Sequence, residues 1–424
     1  MNALVRFANT KRPLPRIYIL VGLLVAGYMF MNLTLWRTKP KPSDDVSNGV
    51  DSALNTIAKP NQGLRDWELI KAKSSKDQTM LVSIGSYRDI RCPVTLISLH
   101  NNAKYAGRVF VGLIQQNHED DVDCVEQALK DESSPAFKEW VTGHVRVIRM
   151  SYLDGKGPCV ARAQIVNKLY LSEDWIFQVD SHTRFVPEWD DVLLNDINGL
   201  PPKSCLSIYP LSDDIDNAEI PDAHVENQRI CRGEFNHEKV MQPGGVRYSY
   251  RDHPKTVQGR AIPFMAAGMM IYPGYATKEV PWDENLIYLF QGEEVLFSMR
   301  MTVKGYKFYA PAENICFHYY GRADKPKVWD KQAFDKTYVQ EMNWSVQRLK
   351  YIVGQISIDK VDNPDYTLRQ IEKYGINFED PVQLENYNKF LYRWRPLSFK
   401  DQVDFNYCSK EPNPDNEVIP KNYF

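Results

Sequence analysis

The sequence predicts an α/β protein built on a mostly parallel, doubly wound sheet. Short apolar runs of strand length recur through the first half, and each is followed by a segment whose apolar residues have helical spacing. That alternation sets successive strands side by side in parallel, with helices on the faces. The fourth run, Trp175 to Val179, ends abruptly in Asp180-Ser181-His182. It ends at the carboxyl edge, where open α/β sheets hold their ligands.

Composition sets the outer bounds. A chain of 424 residues has room for one large α/β domain with additions, or for two or three domains. Hydrophobic residues at 43% and charged residues at 25% supply a sizeable core. A formal net charge of -2 offers no basic face for nucleic acid, which is excluded as a partner. The cysteines are Cys92, Cys124, Cys159, Cys205, Cys231, Cys316 and Cys408. Their odd number leaves at least one free or paired between chains, and no Cys-x-x-Cys points to a zinc ribbon or a thioredoxin-type site. Asn343-Trp344-Ser345 is a glycosylation sequon.

The elements follow in chain order. Residues 1–16 carry Arg6, Lys11, Arg12 and Arg16 and no acid. Residues 17–36 are apolar and long enough for one bilayer crossing, since about 20 residues suffice. With basic residues before it, this run reads as a type II anchor with a cytosolic tail at 1–16. Residues 37–76 are polar and proline-bearing, a stem. The catalytic domain is expected over 77–338. Its strands are Met80 to Ile84, Arg108 to Ile114, Val145 to Met150 and Trp175 to Val179. Helices are expected from Pro93, from Val122 and around Ile165 to Tyr170. Leu206 to Tyr209, Phe264 to Tyr272 and Tyr306 to Tyr309 read as later strands, and Gln291 to Val303 as a helix. Ser212 to Arg260 is turn-rich and reads as a long active-site loop. Residues 339–424 form an extension packed on the catalytic domain.

Several motifs can carry chemistry. At the end of a strand, residues two apart share a face, so Asp180 and His182 point together. A carboxylate with an imidazole suits a divalent ion such as Mn2+; the plainer alternative is a polar turn. His318, after apolar Ile315 to Phe317, reads as a core histidine unless it completes that pair. Gly155-Lys156-Gly157-Pro158 lies between a strand and a helix, where glycines let backbone approach a phosphate. It partly mimics a dinucleotide turn but lacks the third glycine. Arg162, one turn into that helix, can reach a diphosphate. Glu293 and Glu294 open a helix, where acids also suit the dipole. Trp282-Asp283 offers an aromatic wall and a carboxylate.

Taken in order, these motifs resemble a known family. Val82-Ser83-Ile84-Gly85-Ser86-Tyr87-Arg88-Asp89, Gly157-Pro158-Cys159-Val160-Ala161-Arg162-Ala163, Gln178-Val179-Asp180-Ser181-His182, Gly268-Met269-Met270, Val280-Pro281-Trp282-Asp283, Gly292-Glu293-Glu294 and His318 together resemble the polypeptide α-N-acetylglucosaminyltransferases of glycosyltransferase family 60. They are similar, more distantly, to the mucin-type polypeptide GalNAc-transferases. The resemblance covers roughly Met80 to Tyr320. Gly85 stands where alanine is expected, and the Ser212 to Arg260 loop has no family landmark.

The resemblance implies a GT-A fold, a Rossmann-like nucleotide-sugar-binding domain, and a metal-dependent retaining transfer. The donor would be UDP-GlcNAc, and the acceptor a Ser, Thr or hydroxyproline hydroxyl on a protein or glycoprotein. It implies Mn2+ or another divalent cation held by Asp180, His182 and His318. Ser86, Tyr87, Arg88, Asp89, Arg162, Asp180 and Trp282 would bind the nucleotide sugar. Glu293, Glu294 and Asp283 would be the catalytic residues, with the two glutamates lining the sugar and acceptor side. With the expected anchor, the enzyme would sit in the Golgi or ER membrane on a single span, catalytic domain lumenal. The alternatives are a transferase using UDP-GalNAc or another UDP-sugar, an inactive sugar-binding protein of the same fold, and a nucleotide-dependent oxidoreductase.

Overall fold

The first apolar run of the domain becomes an interior strand of the sheet. β1 (Met80–Tyr87) is flanked by β2 (Val109–Asn117) and β4 (Trp175–Asp180), both parallel to it. Met80, Leu81, Val82 and Ile84 are completely buried, as expected for a strand covered on both faces. β3 (Val145–Ser151) extends the sheet parallel to β2. The structure, a computed structural model, describes residues 66–213, 220, 226–249, 256–257, 259–322, 325–393, 405–406 and 408. They belong to the compact unit Arg65–Phe424. The first helix, α1 (Asp66–Ala72), packs Trp67 edge-on against Trp175.

Helices α2 (Cys92–Asn101), α3 (Cys124–Asp131), α4 (Pro135–His144) and α5 (Pro158–Leu169) connect these strands. A side chain on Gly112 of β2 would come within 2.8 Å of Ile165 on α5, so this glycine sets the close approach of helix to sheet. An alanine at Gly85 would meet Ala161 at 3.5 Å, an ordinary contact. The departure from the expected alanine is therefore sterically neutral.

The sheet is mixed, which corrects the expectation of a mostly parallel one. Beyond β4 the order runs β4, β11 (Met269–Pro273), β6 (Ser204–Ser207), β12 (Lys307–Tyr309), β10 (Ala261–Ile262). β11 is antiparallel to both of its neighbours, and β10 is antiparallel to β12. The chain enters β11 from the carboxyl edge of β4. There Ser207 Oγ accepts from Ala266 N at 2.7 Å and donates to Met269 O at 2.6 Å. An apolar run shows that a strand exists but not its direction.

A small second sheet places β13 (Cys316–His318) between β5 (Thr183–Phe185) and β7 (Leu211–Ser212). The expected loop at Ser212 to Arg260 contains a hairpin, β8 (Glu226–Phe235) and β9 (Met241–Ser249), with β14 (Phe405–Asn406) on its outer side. A Cys231–Cys408 disulfide holds that corner, and Cys92–Cys124 ties α2 to α3. Cys159, Cys205 and Cys316 are free and buried. The remaining long helices are α6 (Trp189–Asn198), α7 (Glu293–Val303), α8 (Tyr338–Ile352) and α9 (Pro381–Arg393). The sequon lies within α8, where the Ser345 hydroxyl is buried and donates to Ile287 O at 2.7 Å.

A second correction concerns the membrane. No helix among the described residues is long and apolar enough to cross a bilayer. The expected tail and span, 1–36, lie outside the described residues. The single-span type II anchor, the membrane as a partner, and the Golgi or ER placement built on that anchor therefore have no support in the described residues.

One buried ion pair joins α8 to the segment that precedes α7. Arg348 Nε donates to Asp283 Oδ2 at 2.8 Å, with 0% and 1% of their side chains exposed. Arg348 also donates to Thr367 O at 2.7 Å. Arg348→Ala would leave the Asp283 carboxylate buried without its cation. It is expected to cost about 3–5 kcal/mol of unfolding free energy in urea titration. Replacing both partners by apolar residues should recover much of that loss; an Arg348→Ala protein as stable as the native one would refute the account.

Candidate functional site

A cleft of about 430 Å³ opens beyond the carboxyl ends of β1 and β4. Gly85 and Tyr87 line it from β1, Asp180 and His182 from β4 and its turn, and Arg162 from α5. Glu293 and Glu294 reach it from the start of α7, and His318 from β13. Gly157 caps α5 at φ +99°, and a Cβ there would lie 3.1 Å from the Tyr288 backbone. Only glycine meets both demands, the positive φ and the close approach. Pro158 follows at the first helical position, where its fixed φ is preorganised.

Asp180, His182 and His318 converge, with one ligand atom of each within 4.8 Å of the others. His318 Nε2 lies 3.0 Å from Asp180 Oδ2, and the two imidazole rings are 4.5 Å apart. The convergence is set by backbone pairing. His318 registers opposite Thr183 across β5 and β13, and Tyr319 N donates to His182 O at 3.0 Å. β5 is in turn pinned by one face of α2 and its C-cap, where Thr95, Ser98 and the capping Asn102 bond Thr183 N, Phe185 N and Phe185 O.

The electrostatics suit a cation. Burial works to raise the Asp180 carboxyl, but the His318 hydrogen bond and the charges of His318, His182 and Arg162 outweigh it. Asp180 is therefore held well below the usual carboxylate range and stays ionised. Burial lowers His182 against the pull of Asp89, which favours the neutral imidazole that metal binding needs. His318 Nδ1 is buried without a hydrogen-bond partner. Two imidazoles and a carboxylate form a donor set that suits an ion of the manganese or zinc type.

Behind this cluster lies a buried charged layer. Arg162 is ion-paired with Glu293 and sits 5.5 Å from the Trp282 ring centroid. Cys159 Sγ donates to the other Glu293 oxygen at 2.9 Å. Glu294 accepts from Ala267 N at 2.6 Å and from the Tyr209 hydroxyl at 2.9 Å. Burial, with the Glu293 charge, pushes the Glu294 carboxyl up to about 7.

Other residues singled out in the sequence lie elsewhere. Ser86 is buried. Arg88 turns away at φ 49° and pairs with Asp121 at 2.7 Å. Asp89 accepts from His182 Nδ1 at 2.6 Å. Trp282 stacks on Phe297 at 4.0 Å. Asp283 is held by Arg348. None of these five lines the cleft. Lys156 reaches the Tyr288 hydroxyl at 3.0 Å, so its turn packs against Tyr288.

Sequence reasoning missed Tyr209, Arg322, Phe290, Trp329 and the β9 residues Gln242 and Pro243, all of which line the cleft. Arg322 lies four residues beyond His318, and that proximity was the one available signal. Nothing in the local pattern distinguishes Tyr209 or Gln242.

Comparisons with known proteins place the chain. No curated protein sequence matches it. Among solved structures it is similar to GalNAc-T7 with UDP, GalNAc and Mn2+, at 16% identity, TM-score 0.46, covering 74% of this chain and 56% of that chain. It is also similar to S. aureus TarS 1-349 in complex with UDP-GlcNAc, at 10% identity, TM-score 0.37, covering 79% and 98% of the two chains. The profile of the family "Glycosyltransferase (GlcNAc)" matches residues 79–140 and 136–392, which takes in the cleft and every residue of the Asp180, His182 and His318 cluster. The chain belongs to this family of glycosyltransferases.

Proposed function

We propose that the protein transfers GlcNAc from UDP-GlcNAc to a hydroxyl on a protein acceptor, with retention at the anomeric carbon and with Mn2+ or a similar divalent ion. The observation that carries this reading is the convergence of Asp180, His182 and His318 at the cleft of a chain of this family. These three residues would hold the ion. When bound, it would supply Lewis-acid stabilisation of the diphosphate leaving group.

The chain's own residues account for the rest. Tyr87, at the end of β1, offers a ring to the uridine end of the cleft. Arg322 lines the cleft beside His182, 3.3 Å from Nδ1, and its Nε has no partner. It also pairs with Asp89 at 3.4 Å, but it is more exposed than the Arg162–Glu293 pair, and it supplies positive charge toward the diphosphate. Glu294 and Tyr209 form a polar wall suited to sugar or acceptor hydroxyls. No protein base is required, because the departing phosphate can take the acceptor proton.

Two outcomes test the proposal. Purified protein with Mn2+, a hydroxyl-bearing peptide and a panel of UDP-sugars should yield a GlcNAc-modified product by mass analysis, and EDTA should abolish it. Asp180→Ala or His318→Ala should lower that rate about 10³-fold, the scale of several kcal/mol of lost Lewis-acid stabilisation. Absence of both transfer and hydrolysis for every UDP-sugar would sink the reading, and a preference for UDP-GalNAc would change the sugar alone.

The second test uses pH. Glu294 titrates near pH 7, and its protonated form loses an acceptor oxygen. The native kcat/KM should therefore rise through about pH 7. Glu294→Gln should flatten that limb and lower the plateau about 10- to 100-fold, the value of a hydrogen bond to a charged group. An unchanged pH profile in the variant would remove Glu294 from the reaction.

A further inference from the structure

We propose that Asp89 is a positioning residue for the metal cluster, fixing His182 as the Nδ1–H tautomer so that Nε2 is the nitrogen offered to the ion. This inference rests on the metal reading above. It assigns Asp89 a role other than nucleotide contact.

The argument begins with burial. Asp89 is 7% exposed and does not line the cleft. A buried carboxylate must be met by donors, and Asp89 is met by several. Oδ1 accepts from Arg91 N at 3.0 Å. Oδ2 accepts from Ser181 Oγ at 2.6 Å and from His182 Nδ1 at 2.6 Å. Arg322 Nη1 stands 3.4 Å from the same Oδ2.

An ionised carboxylate can only accept, so the short contact requires the proton on His182 Nδ1. Nε2 then keeps its lone pair. A carboxylate behind a metal-binding histidine raises the ligand's basicity and holds its ring. The geometry also explains why one carboxylate can do more. His182 lies on the turn after β4, and Arg322 lies four residues past His318. Asp89 therefore ties both histidine-bearing segments to the loop after β1. The Ser181 hydroxyl adds a second hold on the same turn, and Thr95 Oγ1 donates to Ser181 O at 2.9 Å.

The experiment measures ligand state and ion affinity in the full chain. Mn2+ is titrated by calorimetry into native protein, Asp89→Asn, Asp89→Ala and His182→Ala. Histidine ring nitrogens are read in parallel by 15N NMR, with His182 assigned from its variant. In the native protein the His182 signals should report Nδ1–H. Asp89→Ala should weaken Mn2+ binding about 10- to 100-fold and shift His182 toward Nε2–H. Asp89→Asn, which keeps an acceptor oxygen but not the charge, should retain the tautomer and bind Mn2+ with intermediate affinity. It carries the comparison if Asp89→Ala does not fold. A folded Asp89→Ala protein with native Mn2+ affinity and native tautomer overturns the proposal, as does a native His182 protonated on Nε2. If the native protein binds no Mn2+, the metal reading fails separately, and the tautomer comparison still decides what Asp89 does to His182.

Discussion

The site depends on one register. β13 pairs with β5 so that His318 stands opposite Thr183, one residue beyond His182. A shift of one residue would turn His318 to the other face of its strand, and the cluster would lose a ligand. Two constraints resist that shift. α2 and its C-cap hold β5 through three side chains, and β7 pairs with the far edge of β13. Candidate metal ligands that lie 138 residues apart are thus placed by main-chain hydrogen bonds.

Three buried charges of the domain are each closed by a partner. Arg162 with Glu293, Arg348 with Asp283, and Arg108 with Asp190 are each almost fully removed from water. Burying one member alone would cost several kcal/mol, and pairing offsets that cost without adding much net stability. Glu294 stands apart from this scheme. Its neighbour Glu293 takes the Arg162 charge, so Glu294 has a backbone N–H and a phenol for partners. Its raised pKa follows directly from that unequal division. Two adjacent glutamates at one helix start therefore differ in kind: one closes an internal ion pair, and the other faces the cleft as a titrating group.

Much of the first half of the fold was legible because buried parallel strands leave apolar runs, and β1, β2 and β4 do so, while β3, an edge strand with no fully buried residue, shows itself by alternation instead. Asp180 and His182 were legible from strand period. His318 was not, because its meaning depends on a partner distant in sequence, and only the family resemblance supplied it. The direction of β11 was hidden, since Met269 to Pro273 reads the same in either sense. Trp282 and Asp283 have the residue types of a site, but they are consumed by Phe297 and Arg348. Residue type does not show which partner a side chain meets. The loop after β1 turned otherwise than expected for a local reason: Arg88 takes a left-handed conformation. Arg88 then points out to Asp121, and Asp89 turns inward to His182.

That inward turn changes how the cleft is organised. Read from sequence, the β1 loop and the Asp180 turn looked like separate devices, one for the nucleotide and one for the ion. In the structure Asp89 joins them, and Arg322 joins both to the segment following β13. The stretch from Cys316 to Arg322 consequently bears two things at once: a candidate ion ligand at His318 and a cleft-lining cation at Arg322. Because the β5 register positions the start of that stretch and Asp89 its end, ligand and cation are set by the same pair of contacts. The loop after β1 therefore contacts the candidate ion site through Asp89, while Tyr87, two residues earlier, still lines the cleft.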